Sequence, residues 1–295
     1  MTTPPRRTAP LVGLMAAHAV SLTGNVLTLI ALPLYVLGSG GGPAATGLTG
    51  AMATLPMVLG GALGGVFVDR AGYRRASIVA DLVSGVTIGA VPLLHATVGL
   101  PFWALLALVF ISGLLDTPGS TARMALLPEA AAAAGAPTDR MIGLFEATER
   151  GSRLVGAPVA GLLVAMLGAL PVLAIDAATF AISAALMAAL VPAALSASGS
   201  SRSTSPGDRP GHGYWQELTD GVRFLVRQPL LRSVVAMVLV TNMFDAAKAT
   251  VLLPVVAYRD LGGASALGLL VGVMGGGAFA GSRLFAAVGH RLPRR

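Results

Sequence analysis

Gly65-Val66-Phe67-Val68-Asp69-Arg70-Ala71-Gly72-Tyr73-Arg74-Arg75 closes one long apolar run and precedes another. Residues 8–68 contain no Asp, Glu, Lys or Arg, and neither do residues 82–115. A bilayer core asks for about 20 apolar residues per helical span, whereas a soluble domain has no polar surface with which to cover runs of this length. The segment therefore reads as a short charged turn between two membrane helices. Gly72 can supply the positive φ of a tight turn, Gly65 permits close approach of a neighbouring helix, and Arg70, Arg74 and Arg75 hold the turn on the cytoplasmic side. Asp69 is the residue that topology does not explain.

Working outward, 55% of the chain is hydrophobic and 11% charged, which makes it an all-α polytopic membrane protein. Spans are expected near 11–37, 46–68, 76–96, 101–121, 141–167, 171–193, 233–257 and 264–288. This parse puts Arg6, Arg7, Arg70, Arg74, Arg75, Arg123, Arg140 and the C-terminal Arg291, Arg294 and Arg295 on one side, and leaves Arg259 beside Asp260 on the other. The net charge of +7 is then topology by the positive-inside rule, with the N-terminus cytoplasmic and no nucleic-acid partner. The expected location is the plasma (inner) membrane. Arg6-Arg7 ahead of an apolar stretch imitates a signal peptide, but the stretch runs to Leu37, beyond an h-region of about 7–15 residues, and is expected to be retained. The absence of cysteine removes thiolate chemistry, and His18, His95, His212 and His290 are too far apart for a local metal motif. No cofactor is expected. No Ser–His or paired-carboxylate constellation points to an enzyme.

Two breaks organise the chain. Gly38-Ser39-Gly40-Gly41-Gly42-Pro43 ends the first span, and the Ser-, Gly- and Pro-rich stretch 195–213 reads as a flexible cytoplasmic linker. Trp215, Leu218, Val222, Leu225 and Val226 then recur at helical spacing opposite Glu217, Asp220, Arg223 and Arg227, as in an amphipathic helix lying on the membrane or a solvated linker helix. The expected organisation is a six-helix unit over 1–194, a linker over 195–231 and a partial second unit over 232–295. An offset of 221 residues aligns Pro33 with Pro254, Gly47 with Gly268, Leu48 with Leu269, Gly60 with Gly281, Arg70 with Arg291 and Arg74 with Arg295 without a gap. Spans seven and eight thus read as a second copy of spans one and two. Parallel halves of this kind place a substrate site between them near the bilayer midplane.

The opening segment resembles the signature loop between the second and third helices of the major facilitator superfamily, Gly-x-x-x-Asp-Arg-x-Gly-Arg-Arg, with Tyr73 departing from it. The resemblance implies a major facilitator fold: a six-helix N-terminal half and the first two helices of the second half. It also implies a gating role for Asp69, whose partner in the family is the N-terminal end of helix eleven. Gly151, Gly156, Pro158 and Gly161 on span five are similar to the Gly-Pro-rich motif of drug antiporters, although Ala157 separates the Gly from the Pro. Ser152, Gly156 and Ala160 form one small-residue row and Gly268, Gly272 and Gly276 another, which lets backbones approach closely, and the resemblance implies that helix five packs on helix eight. Pro118, Arg123 and Leu126-Leu127-Pro128-Glu129, placed after span four, resemble the macrolide-efflux and enterobactin-exporter branch. Span four shows Ile111 to Asp116 where many proton-coupled antiporters carry a mid-helix Arg.

A charge at mid-bilayer costs roughly 2.5–3.5 kcal/mol on insertion scales, so polar residues inside spans mark a substrate or ion path. His18, Ser21, Asn25 and Thr28 share one face of span one and are expected to line the cavity. Asn242, Asp245 and Lys248 lie at a similar depth in span seven, with Asp245 and Lys248 spaced for an ion pair, structural or proton-responsive. Asp81, Asp116 and Asp176 are expected near span ends, at helix termini or interfacial water. Glu146–Arg150 and Glu149–Arg153 fit i,i+4 pairs. The expected function is secondary transport by alternating access, as efflux of a small amphiphilic molecule, with protons as a possible coupling ion. The alternative is an uptake permease of the same fold, or a truncated non-transporting membrane fragment that binds a partner chain.

Overall fold

The structure, a computed structural model, describes residues 8–193, 195, 223–224 and 226–288. Most of the linker, the amphipathic segment around Trp215 and the terminal Arg291–Arg295 lie outside the described residues.

Among the described residues, eight long helices stand where eight spans are expected: α1 Ala9–Gly38, α2 Pro43–Ala71, α3 Tyr73–Thr97, α4 Phe102–Ala134, α5 Thr138–Leu167, α6 Ala169–Leu190, α7 Pro229–Asp260 and α8 Ala264–Val288. Among the described residues, six of them, all but α2 and α8, are long and apolar enough to cross a membrane. Pro43 opens α2 where its missing N–H costs nothing. Gly72 takes φ 78° and joins α2 to α3 with no intervening residue, as the sequence led one to expect.

Helix α4 departs from the sequence reading. It does not stop near residue 121 but continues through Pro118 and Pro128 to Ala134. Packed membrane helices tolerate interior proline because neighbours and local adjustment re-satisfy the freed carbonyls. The true stop is at Gly135, φ 67°, whose N–H bonds Ala132 O at 3.1 Å while the Ala136 N–H bonds Ala131 O at 2.9 Å. That is the paired hydrogen bonding of a Schellman stop. Arg123 and Leu126 to Glu129 are therefore inside a helix, and Arg123 is not one of the loop cations of the positive-inside parse.

Helix α1 packs on α4, α5 and α6, and α3 lies against α4 and α6, with α2 on α4. Leu14, Leu126, Leu127 and Met187 form one buried cluster, and Ile30, Ile88, Leu173 and Phe180 belong to another. Lipid is as apolar as leucine, so these contacts act through close packing rather than through removal from water. Helix α8 runs along α5, and α7 reaches α1 and α2. Within α7, Lys248–Leu252 winds as a π-helical turn between α-helical segments. That turn sits against α2, where Gly50 faces Thr250 so closely that a Cβ would lie 2.6 Å from the threonine Cβ.

Candidate functional site

The signature turn is tied to the end of α6. Arg74 Nη2 donates to Ala188 O at 2.6 Å and its Nε donates to Val191 O, placing a cation on the free carbonyls of a helix C-terminus. Arg70 and Arg75 are exposed. The surroundings of Gly65 and the side chain of Asp69 lie outside the described residues.

The polar face of α1 does not open onto the pocket. It turns into the six-helix bundle, where each position meets a different helix. Ser21 Oγ donates to Asp81 Oδ1 of α3 at 3.2 Å, Asn25 Nδ2 to Asp116 Oδ1 of α4 at 3.0 Å, and Thr28 Oγ1 to Asp176 Oδ2 of α6. His18 stacks on Phe145 of α5 with ring centroids 3.5 Å apart, and its buried Nε2 has no hydrogen-bond partner. Asp81 and Asp176 are thus not at span ends or at interfacial water: they are 1% and 0% exposed. Helix-one hydroxyls and neighbouring side chains do the work that water does at a membrane surface.

Asp81 is the most heavily partnered of these acids. Arg123 Nη2 donates to its Oδ1 at 3.0 Å and to Ser21 Oγ at 3.2 Å, while the single Ser183 hydroxyl proton is shared between its Oδ2 at 2.6 Å and Ala17 O at 2.9 Å. One ion pair, 3% and 2% exposed on its two side chains, so joins α1, α3, α4 and α6. The sequence reading missed it because ending α4 early moved Arg123 out of the membrane. The signal was present in Ala122 to Ala134, a stretch of strong helix formers interrupted by Pro128 alone.

A cavity of about 470 Å³ opens between the six-helix bundle and the last two helices. Val26, Leu29 and Ile30 of α1, Glu146, Glu149, Arg150 and Arg153 of α5, Lys248 and Leu253 of α7, and Leu267, Val271 and Met274 of α8 line it. Its walls are apolar with charge on one side. Glu149 and Arg153 pair at 3.1 Å. Lys248 pairs with Asp245 at 2.7 Å on an exposed flank, and Asn242 is exposed one turn away.

Beside the cavity α5 meets α8, but with a different row from the one expected. A Cβ on Gly161 would fall 2.6 Å from Ala264 O and 2.8 Å from Gly268 Cα, and one on Gly268 would fall 2.5 Å from Ala157 O. Pro158 faces Gly272, and Leu154 faces Gly275 and Gly276. Gly156 looks instead at Val26 of α1, and Gly151 borders open space. The glycines are therefore required where the two backbones touch.

Comparison with known proteins matches residues 14–295 to the Major Facilitator Superfamily. The chain is 32% identical over 177 residues to the multidrug efflux pump Tap of Mycolicibacterium fortuitum, covering 59% of this chain and 43% of that protein. It is 30% identical over 285 residues to the multidrug efflux pumps Tap of Mycobacterium tuberculosis and Mycobacterium bovis, covering 96% of this chain and 66% of each. The chain thus spans less than two thirds of the length of these curated relatives.

Proposed function

Because the chain belongs to the Major Facilitator Superfamily, we propose that it works in secondary export of small amphiphilic molecules by alternating access, in the plasma (inner) membrane with its N-terminus cytoplasmic. The observation that carries this reading is the cavity between α1, α5, α7 and α8, apolar on most of its wall and bearing Glu146, Glu149, Arg150, Arg153 and Lys248 on the rest. Such a wall suits a ligand with an apolar body and a charged or polar end. The multidrug efflux relatives support outward transport of drug-like compounds. Rocking of α7 and α8 against the bundle, about the glycine contact of α5 with α8, is the motion that would alternate access. Asp69 and the signature turn act as its cytoplasmic gate on this reading, and His18, Ser21, Asn25 and Thr28 fix the helix that forms one cavity wall.

The test is retention of a fluorescent lipophilic dye by cells expressing the chain. Depletion relative to cells carrying an Arg150→Ala, Glu146→Ala double variant supports export, accumulation supports an uptake permease, and no difference from empty cells counts against transport by this chain alone. A second reading, in which further helices come from a partner chain, is favoured by α7: its segment Pro229–Ala247 has no buried residue. Co-purification with a second membrane protein that restores dye export supports that reading.

A further inference from the structure

The cavity carries its charges on one helix and an apolar row on another. Leu267, Val271 and Met274 recur at helical spacing on α8, while Glu146, Glu149, Arg150 and Arg153 stand on α5. The sequence spacing fits two i,i+4 pairs on α5, each with the acid N-terminal to the base, which is the more stable order. The structure forms one of them. Glu149 and Arg153 meet at 3.1 Å, and Lys248, the cation that α7 contributes to the wall, is held by Asp245 at 2.7 Å. Glu146 and Arg150 are both exposed, and neither has an ion-pair or hydrogen-bond partner among the described residues. With the neutral pairs set aside, the wall presents one free carboxylate and one free guanidinium, a turn apart on the same face of α5, where Cβ atoms lie about 5–6 Å from each other.

A ligand of single sign satisfies one of these groups and leaves the other. While the cavity is open, water serves the group left over. Alternating access shuts the cavity, and a charge closed away from water without a partner is strongly penalised. A ligand that carries both signs at a matching separation satisfies both groups at once. With no ligand, Glu146 and Arg150 have the spacing to satisfy each other. Closure is thus favoured for the empty cavity and for the zwitterion-loaded one, and opposed for a cavity holding a lone cation or a lone anion.

We propose that Glu146 and Arg150 form a two-point recognition site for zwitterionic amphiphiles, an inference that rests on the export reading above and narrows its substrate class. The Glu146 carboxylate takes the cationic end of the ligand and the Arg150 guanidinium its carboxylate or phosphate, for which the planar fork of donors is suited. The apolar body lies against Leu267, Val271 and Met274. A volume of about 470 Å³ is that of a small-molecule site.

Equilibrium binding to the chain in lipid nanodiscs, read by fluorescence polarisation, tests the site without requiring transport. Rhodamine B carries a cation and a carboxylate, its ethyl ester carries the cation alone, and fluorescein, of similar size, carries negative charge alone. Rhodamine B is expected to bind about tenfold more tightly than either, the gain from one further charge-assisted contact. Arg150→Gln should erase its advantage over the ester, and Glu146→Gln its advantage over fluorescein. An ester or a fluorescein that binds the unaltered chain as tightly as rhodamine B overturns the site, whatever the variants do, and so does the absence of saturable binding by all three. Nanodiscs of phosphatidylcholine and of phosphatidylglycerol separate a free amphiphile from a lipid headgroup, since only the first lipid is zwitterionic. The same preference in both supports the proposal, and a preference lost in phosphatidylcholine alone assigns the site to lipid and overturns it. In proteoliposomes, export of rhodamine B and its ester without preference upholds the export reading and overturns the site, whereas selective binding without export upholds the site and counts against the export reading.

Discussion

At an offset of 221 residues α1 aligns with α7, Ser21 with Asn242 and Pro33 with Pro254, yet their polar residues live in opposite circumstances. In its most apolar stretch 61% of α1 is buried, against 0% of α7. Polar side chains on α1 find partners on three other helices, whereas those on α7 find them on α7 itself, as in the Asp245–Lys248 pair. The same sequence pattern therefore means structural cross-linking in one place and a self-neutralised, accessible charge in the other. What decides between them is the set of neighbouring helices, which the pattern does not encode.

The largest expected break in this comparison is Arg123→Met. It strands a buried Asp81 and is expected to cost about 3–5 kcal/mol, read as a fall in thermal unfolding temperature and in folded yield. Adding Asp81→Asn should recover much of the loss, because removing both charges is cheaper than removing one. Lys248→Met on α7 should change the same measurement by less than about 1 kcal/mol. Equal effects at the two positions would mean that α7 is as tightly partnered as α1.

Next in size is the joint between the two regions. Gly268→Val forces a side chain into the α5 backbone, where overpacking costs about 1–3 kcal/mol, and should push α8 away from α5. The chain has no cysteine, so a reporter is simple to build. A Cβ on Gly275 would lie 3.8 Å from Leu154 Cβ, within the separation a disulfide needs. Leu154→Cys with Gly275→Cys should therefore oxidise to an intramolecular cross-link visible by gel shift under non-reducing conditions. Adding Gly268→Val should reduce its yield, and an unchanged yield would show that the glycine contact does not hold the two regions together.

Much of the architecture was legible in the sequence because membrane helices announce themselves by length and apolarity. The turn at Gly72 and the break at Gly38 to Pro43 follow from residues with few conformational alternatives, whereas the pairing of helix five with helix eight was implied by the family resemblance. The interior of the bundle was less legible. Span four reads as ending near residue 121, about the length that one bilayer crossing needs, and that one error hid the Arg123–Asp81 pair. The row of α5 that touches α8 was misplaced by one residue, because Ser152, Gly156 and Ala160 satisfy the spacing rule as well as Ala157 and Gly161 do. Small residues say that backbones approach, not which face approaches what.

The smallest effect separates the two repeat-related polar positions directly. Ser21→Ala removes a hydroxyl that donates to Asp81 and accepts from Arg123. Both partners keep each other, so the expected loss is about 1–2 kcal/mol rather than that of a stranded charge. Asn242→Ala, at the aligned place on exposed α7, is expected to stay within about 0.5 kcal/mol. Thermal unfolding of both variants in the same lipid gives the ratio. If Asn242→Ala costs as much as Ser21→Ala, then α7 is gripped by side chains or by a partner helix, and the asymmetry between the regions belongs to the isolated chain and not to its working assembly. If the difference holds, the two copies of the repeat have taken different tasks: α1 anchors the bundle, and α7 keeps an exposed ion pair at the cavity wall.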